Sequence, residues 1–155
     1  MWVRFPPGAL YMKREFSAGG IVLRQAQDKF LKNKWEVLLT QNSSNKYWGF
    51  PKGTPSQGES MKEVAVREVR EEGGVEAEII EKVGDSKYFY THPENKEKIF
   101  KMVTVYLMKY LSGDPKDHDW EVSEADWFSP EEALKILSFS PDKILLKKAL
   151  ECINK

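Results

Sequence analysis

The sequence predicts an α/β fold in which helices cover the faces of a mixed β-sheet. Segments rich in β-branched and aromatic residues are typical of strands, and they recur at 16–24, 35–41, 76–83, 99–111 and 121–128. Between and after them lie helical patterns that begin near Ser60, Ser129 and Ser140. The alternation of the two patterns is irregular, which favours a mixed sheet with helices on its faces.

The first two strands are separated by a polar connection. Within residues 16–24 the run Ala18-Gly19-Gly20 indicates either a β-bulge or a close approach of another backbone. Residues 25–34 are mostly polar and predict a loop, and residues 42–46 form a turn after the second strand.

The best-specified helix covers residues 60–72. Ser60 and Glu63 have the spacing of a capping box, and Gly73-Gly74 provides a C-terminal stop that can adopt the left-handed conformation. The apolar stripe that predicts its buried face consists of Met61, Val64, Ala65 and Val69. Upstream, two prolines and two glycines within residues 51–58 predict an irregular loop that leads into the helix.

The remaining strands follow the helix. Residues 76–83 form a strand, and 87–91 are its continuation or its partner. Residues 99–111 are long, aromatic and β-branched, which predicts a buried strand. Residues 121–128 form a short final strand.

Two helices are predicted near the C-terminus. Ser129 followed by Pro130 fits an N-cap with proline in the first turn. Pro141 after Ser140 predicts the same arrangement for a roughly amphipathic helix over 142–152.

Composition indicates the class of protein. The 155 residues suggest one domain, and 24 Lys+Arg balance 24 Asp+Glu, which argues against a strongly basic nucleic-acid binder. Cys152 is the only cysteine, so no intrachain disulfide can form, as in a protein of the reducing cytoplasm. No apolar run approaches the length of a membrane span, so we expect no membrane partner. The oligomeric state is not indicated.

The N-terminus suggests a boundary at Met12. Residues 1–11 lack the long apolar region and cleavage site of a signal peptide. Our hypothesis is that residues 1–11 are a dispensable extension, not part of the native protein, and that 12–155 form the domain. The alternative is a short arm that packs on the domain through Trp2 and Phe5.

Three carboxylates crowd the end of the central helix. Glu68, Glu71 and Glu72 have i, i+3, i+4 spacing, so they project from one helical face. Their charges repel one another, and the helix dipole disfavours them near the C-terminus. A divalent cation would reverse both penalties, and Mg²⁺ is held by a few carboxylates together with substrate phosphates.

The surrounding residues match a known family pattern. The matching positions are Gly53, Glu59, Arg67, Glu68, Val69, Glu71, Glu72, Gly74 and Val75. They resemble, without exception, the Nudix box G-x5-E-x7-R-E-U-x-E-E-x-G-U, where U is aliphatic. A solvated surface helix would explain neither the clustered acids nor the glycines on both sides. The resemblance implies an α/β/α sandwich with a mixed sheet, beside which the box forms a loop-helix-loop.

The resemblance also implies a metal site and an enzymatic function. In this family the helix acids carry Mg²⁺, for which Mn²⁺ can substitute. By position, Glu68 and Glu72 are the firmest ligands, Glu71 can bind a second ion, and the backbone carbonyl of Lys52 is an additional ligand. The number of ions stays open.

Catalytic roles carry over by position as well. The resemblance implies that Arg67 orients a carboxylate such as Glu59 through a bidentate pair; the alternative is a purely structural pair. The general base is not fixed within the family, and its candidates here are Glu68, Glu71 and Glu121. Glu121 aligns with an acid outside the box, and Glu124 is its nearby competitor.

Flanking segments resemble the bacterial type of diadenosine tetraphosphate hydrolase within this family. These segments are EFSAGGIVLR, WGFPKG, KYFY and WEVSEADWFSPEEA. By this resemblance Lys52 and Lys101 contact phosphates. Tyr88 and Tyr90 alternate along a strand, so they share a face and can stack on adenine; the alternative for both is core packing.

The leading function is Mg²⁺-dependent hydrolysis of diadenosine tetraphosphate to ATP and AMP. Besides diphosphoinositol polyphosphate and sugar-nucleotide substrates, three alternatives stay open. They are a housecleaning hydrolase for nucleoside triphosphates, an RNA 5′-pyrophosphohydrolase, and a Nudix domain that binds nucleotides without turnover. The intact box argues against the last of these, and zero net charge makes an RNA substrate less attractive.

Overall fold

Seven strands, three α-helices and a short 3-10 helix (Pro115–Asp117) make up the part of the chain that a computed structural model describes, residues 12–28 and 34–154. The strands are β1 (Lys13–Gln25), β2 (Trp35–Asn42), β3 (Trp48–Gly49), β4 (Lys52–Gly53), β5 (Val75–Thr91), β6 (Lys98–Gly113) and β7 (Val122–Phe128). The helices are α1 (Met61–Gly73), α2 (Pro130–Ile136) and α3 (Ser140–Ile153).

The strands form one mixed sheet. Its central order is β3-β2-β1-β6-β5, with β4 also paired to β1 and β7 also paired to β2. The long β1 and β6 strands run parallel to each other from Lys13↔Ile99 to Leu23↔Lys109, whereas the other pairs are antiparallel. The predicted mixed sheet is therefore confirmed.

Helices cover both faces of the sheet. On one face, Val64, Ala65 and Val69 of α1 pack against buried residues of β1 and β2, among them Val22 and Leu38. The apolar stripe predicted for this helix is therefore its buried face.

On the other face, α2 packs against β2 and β7, and α3 packs against β5. Ala133 of α2 and Leu146 of α3 are fully buried there with Ile21 and Leu107 of the sheet. The two layers confirm the α/β/α sandwich.

Helix α1 begins and ends as its sequence predicts. The Ser60 hydroxyl accepts a hydrogen bond from the Glu63 amide at 3.2 Å, and the Glu63 carboxylate accepts one from the Ser60 amide at 3.3 Å. At the other end Gly74 has φ 73°, and its amide donates to the Arg70 carbonyl at 3.0 Å. Both ends therefore satisfy backbone groups that a helix leaves unpaired.

The structure decides between two expectations for β5 and differs from the expectation for the start of α3. Residues 76–83 and 87–91 belong to one strand, β5, which bends at three register shifts against β6. Ser140 is not an N-cap, because α3 begins at Ser140 itself. Phe139 is the N-cap, without a side-chain hydrogen bond to the helix. Ser129, in contrast, accepts from the Glu132 amide as predicted.

The glycines of β1 bring the loop before α1 against the sheet. A Cβ atom on Gly19 would lie 2.3 Å from the Pro51 carbonyl oxygen, and the Gly20 amide donates to that oxygen at 3.2 Å. Of the two possibilities that the sequence left open for these glycines, a β-bulge or a close approach of another backbone, the structure shows the close approach. This contact holds β4 and the start of the loop before α1 beside β1.

The hypothesis about the N-terminus concerns residues 1–11, which lie outside the described residues. In the described part of the chain, no helix is long and apolar enough to span a membrane.

Candidate active site

A cleft of about 990 Å³ opens between the C-terminal half of α1, the loop before it, the sheet and the start of α3. This volume is at the upper end for a small-molecule site. Every predicted site residue except Glu59 lines the cleft. Those that do are Lys52, Arg67, Glu68, Glu71, Glu72, Tyr88, Tyr90, Lys101 and Glu121.

Arg67 and Glu59 form the bidentate pair that the sequence suggested. The Arg67 Nε donates to Glu59 Oε2 at 2.7 Å, and Nη2 donates to Glu59 Oε1 at 2.9 Å. Hydrogen bonds from Arg67, aided by the Ser56 amide, lower the pKa of Glu59 to about 2. Nη2 also donates to the Thr54 carbonyl at 2.9 Å. Glu59 therefore ties Arg67 to the loop while lying behind the cleft wall.

The third nitrogen of Arg67 reaches the acidic cluster. Nη1 donates to Glu68 Oε1 at 2.7 Å and to Glu71 Oε2 at 3.0 Å. Glu68 is only 7% exposed, and its carboxylate lies against Gly53, where a Cβ atom would be 2.2 Å from Cδ. The first glycine of the box therefore leaves the space that this carboxylate occupies.

Glu72 is held from another direction. Its Oε2 accepts a hydrogen bond from the Lys52 backbone amide at 3.1 Å. Burial, together with the charge of Glu68, raises the pKa of Glu72 to about 7. Burial also raises the pKa of Glu68. Two neighbouring carboxylates thus carry negative charge in a place where water stabilises it poorly.

The donor set fits a hard divalent cation. Three carboxylates and the Lys52 backbone are gathered at one wall, and Arg67 is the one cation that hydrogen-bonds to them among the described residues. In residues 12–28 and 34–154 no three acids or other metal-binding side chains stand close enough to hold an ion as they are. Repulsion between like charges, and the attraction of Glu68 and Glu71 to the guanidinium, account for this spacing.

Glu121 and Glu124 differ in position. Glu121 lines the cleft, and its charge acts on Glu68. Glu124 lies on β7 opposite Gln41, is exposed, and does not line the cleft. The geometry favours Glu121 over its competitor as the acid from outside the box.

Two lysines stand between the acids and the far end of the cleft. In the described residues, neither the Lys52 nor the Lys101 ammonium forms an ion pair within 4.0 Å. Burial, and next the charge of Lys52, lowers the pKa of Lys101. Two cations that face each other without carboxylate partners are suited to binding an anion.

The two tyrosines have different roles in the structure. The Tyr90 hydroxyl donates to Glu15 Oε2 at 2.9 Å, so this ring is anchored on the sheet. Tyr88 is 38% exposed and lies almost parallel to Phe139, with an interplanar angle of 7° and ring centroids 6.4 Å apart. Burial is the main cause that raises the pKa of Tyr88 to about 12. The hydroxyl is thus partly shielded from water, but the 38% exposure of the side chain shows that Tyr88 lines the open cleft and is not packed in the core.

Among the other residues that line the cleft, Tyr47, Phe139 and Asp142 bear on its chemistry and were not anticipated from the sequence. Phe139 and Tyr47 pack edge to face with centroids 5.0 Å apart, and Asp142 follows in the first turn of α3. The one sign of this in the sequence was Phe139, an aromatic residue two positions before the proline of a predicted helix start. It does not indicate which cleft the aromatic faces.

Comparison with known proteins identifies the domain. The NUDIX domain model matches residues 14–148. The chain belongs to the Nudix family.

Relatives of this Nudix chain differ in name. A Mycobacterium tuberculosis protein named "Putative mutator protein MutT4" is 31% identical over 147 residues, covering 91% of this chain and 56% of its own. The ADP-ribose pyrophosphatase of Methanocaldococcus jannaschii is 28% identical, covering 77% of this chain and 69% of its own. This Nudix chain thus spans little more than half of the mycobacterial protein.

The solved structures include a C. elegans Ap4A hydrolase in a binary complex. It superposes with a TM-score of 0.73 at 26% identity, covering 90% of this Nudix chain and 98% of that chain. Both the mixed sheet and its helices are therefore those of the Nudix fold.

Proposed function

We propose that this chain hydrolyses a phosphoanhydride bond of a nucleotide polyphosphate in a reaction that requires a divalent metal ion. Diadenosine tetraphosphate is the proposed substrate, with ATP and AMP as products. The observation that carries the proposal is that Lys52, in one cleft, lies near both the acids and the aromatic rings: its charge acts on Glu72 and on Asp142, which in turn acts on Tyr88. The cleft thus has acids, then ammonium groups without an ion pair, then parallel rings. A polyphosphate with a base at its end has the same order.

The residues that would hold the metal ion are Glu68, Glu71 and Glu72, with the Lys52 carbonyl. Mg²⁺ is the proposed ion, and Mn²⁺ a substitute. Such an ion stabilises charge on phosphate oxygens and lowers the pKa of a bound water.

The chain itself positions the reacting groups. Arg67 holds Glu68 and Glu71 in place and is in turn fixed by Glu59. The carboxylate that accepts the proton of the attacking water must come within about 2.6–3.2 Å of it. Glu68, Glu71 and Glu121 stay the candidates, and all three line the cleft.

Binding of the remainder of the substrate follows from the other residues. Lys52 and Lys101 would neutralise phosphate charge between the metal and the base. Tyr88 and Phe139 would hold an adenine by stacking, which is worth about 1–3 kcal/mol per base. Tyr90 is proposed to support this end of the cleft and to contact the base at its edge.

Two observations bear on the choice of substrate. The Ap4A hydrolase structure matches over nearly its whole length, which supports a dinucleoside polyphosphate. The mycobacterial relative is named a mutator protein and not a dinucleoside polyphosphate hydrolase, so we keep a housecleaning hydrolase of nucleoside triphosphates as the second candidate. We propose a cytoplasmic location, supported by the single cysteine, Cys152.

The test is a substrate panel with Mg²⁺ and chromatographic resolution of products. The panel contains diadenosine tetraphosphate, ordinary and oxidised nucleoside triphosphates, ADP-ribose and a 5′-triphosphate RNA. Glu72→Gln is the inactive variant, and Glu151→Gln, an exposed acid on α3, is its matched control. We expect ATP plus AMP from diadenosine tetraphosphate, a loss of at least about 100-fold in Glu72→Gln, and unchanged activity in Glu151→Gln.

Each other result has a defined meaning. Preference for a triphosphate with release of pyrophosphate would select the housecleaning function, and preference for the RNA would select 5′-end hydrolysis. Nucleotide binding without turnover of any substrate would show a non-catalytic domain and overturn the proposal.

A further inference from the structure

Asp142 is an acid of the cleft to which the proposed chemistry gives no role. It lies in the first turn of α3, where the helix dipole favours a negative charge. The N-cap residue Phe139 has no side-chain hydrogen bond, so no side-chain cap is present at this helix start. No hydrogen bond joins Asp142 to any described residue. The dipole therefore explains an acid at this position, but not its unpaired oxygens in the cleft.

The neighbours of Asp142 place it at the aromatic end. Phe139, three residues earlier, stacks on Tyr88, and the charge of Asp142 acts on the Tyr88 hydroxyl. A Cβ atom built on Gly49 would lie 3.6 Å from Asp142 Oδ2 and 3.5 Å from Lys52 Nζ. The carboxylate therefore stands over Gly49, between the parallel rings and the lysine.

The burial of the Asp142 carboxylate and the charges around it indicate which kind of ligand group it can bind. Burial raises the pKa of Asp142, and the charge of Lys52 only partly offsets this effect. The two groups do not form an ion pair within 4.0 Å. A carboxylate that has lost part of its hydration and has no donor among the described residues is available to accept a hydrogen bond from an N–H group of a ligand.

We infer that Asp142 is a specificity-determining residue that accepts a hydrogen bond from the amino group of a purine stacked at the Tyr88–Phe139 end of the cleft. The inference rests on the proposed function insofar as the cleft binds a nucleotide. Flat rings select a base, and a carboxylate selects a base edge that carries donors, such as the amino group of adenine. Sites built around a hydrogen bond reject analogues that lack it more strongly than apolar pockets reject a missing methylene.

The experiment compares two ligands that differ in the amino group alone. AMP and purine riboside 5′-monophosphate have equal charge, so both lysines act on them alike. Their dissociation constants are measured by calorimetry in EDTA, without a divalent ion or turnover. We expect the native protein to prefer AMP by about tenfold, as for a hydrogen bond to a charged group.

Variants assign this preference to one side chain. Asp142→Ala abolishes the preference, whereas Asp142→Asn retains part of it because the amide oxygen still accepts. Asp117→Ala, which removes an exposed acid outside the cleft, leaves the preference unchanged. If Asp142→Ala does not fold, the intermediate ratio in Asp142→Asn remains the required result.

Two outcomes overturn the inference: equal affinity of the native protein for the two ligands, or a tenfold preference that persists in Asp142→Ala. The result is independent of the substrate panel. An AMP preference that depends on Asp142 in a protein without hydrolytic activity would refute the proposed function and leave the base contact standing. Hydrolysis without a preference for AMP that depends on Asp142 would support the proposed function and refute the base contact.

Discussion

Glu72 is the residue at which folding and the proposed function make opposite demands. Folding brings its carboxylate next to Glu68 and largely out of water, and these effects raise its pKa from the ordinary 4.5 to about 7. In the unfolded chain the carboxylate ionises normally. As the pH rises from about 4.5 to about 7, the unfolded state therefore loses a proton that the folded state retains, and stability falls.

We expect Glu72→Gln to stabilise the metal-free protein at pH 8 and to have little effect at pH 4.5. The glutamine can still accept from the Lys52 amide but carries no charge. The gain at pH 8 is of the order of 3 kcal/mol, because each pKa unit between 4.5 and about 7 corresponds to 1.36 kcal/mol. Urea denaturation in EDTA at both pH values measures it.

The matched control for this prediction is Glu78→Gln, which removes an exposed acid on β5. This substitution should change the free energy of unfolding only slightly at both pH values. Equal stabilisation of the two variants at pH 8 would show that the general negative charge, rather than the buried position of Glu72, is responsible.

At the same scale, prediction from sequence reached the acids and Tyr88, but not the residues that face Tyr88 across the cleft. Glu68, Glu71 and Glu72 are neighbours on one helix, so their spacing alone brings them together. Phe139 and Asp142 lie opposite Tyr88 only because α3 packs on β5 across the sheet. That contact depends on tertiary packing, to which no local pattern in the sequence corresponds.

Among the elements, α1 is the one most fully determined by local sequence. Its capping box, apolar stripe and C-terminal glycine all act within a few residues, and all are confirmed. The two-residue strands β3 and β4 were not predicted, because each exists only through pairing with β2 or β1. The bends in β5 likewise follow from its register against β6.

Two glycines with the same left-handed backbone allow the end of α1 to be tested. Gly74 has φ 73° and Gly58 has φ 80°. A Cβ atom on Gly74 would lie 2.5 Å from the Asp114 carbonyl oxygen, whereas one on Gly58 would meet nothing within 4 Å. Gly58→Ala should therefore reveal the backbone strain alone, and Gly74→Ala the strain plus a clash with fixed backbone.

We expect Gly58→Ala to lower the free energy of unfolding by about 1 kcal/mol and Gly74→Ala by about 3 kcal/mol or more. Urea denaturation of the two variants beside the native protein provides the comparison. Similar losses in both would mean that the loop around Asp114 can move away from α1, and that the helix end is not fixed by close packing.

For the molecule as a whole, fold class and layering were predictable because irregularly alternating elements leave few ways to cover a sheet. The position of the cleft was not predictable from the sequence. It depends on β1 pairing with β4 at Ala18 and Gly19, where the strand no longer pairs with β2, which it meets at residues 23–25. The close approach of Pro51 to Gly19 makes this arrangement possible.

The proposed domain boundary at Met12 is also a property of the whole molecule. The first strand begins at Lys13, and the buried apolar residues of the described chain lie between Ala18 and Ala149. We therefore expect a chain that begins at Met12 to retain its midpoint of thermal unfolding within about 2 °C and its activity on the substrate panel. A change in free energy of 1 kcal/mol would shift the midpoint by roughly 2–4 °C at this size.

The matched comparison for this truncation separates the two hypotheses about the first eleven residues. If they form an arm that packs through Trp2 and Phe5, Trp2→Ala in the full chain should lower the midpoint nearly as much as the truncation does. If they are dispensable, neither change should move it. A lower midpoint in the truncated chain, with Trp2→Ala unchanged, would point to the backbone before β1, because Lys13 pairs with Ile99 at the end of the parallel ladder. Any loss of stability on truncation would refute the boundary at Met12.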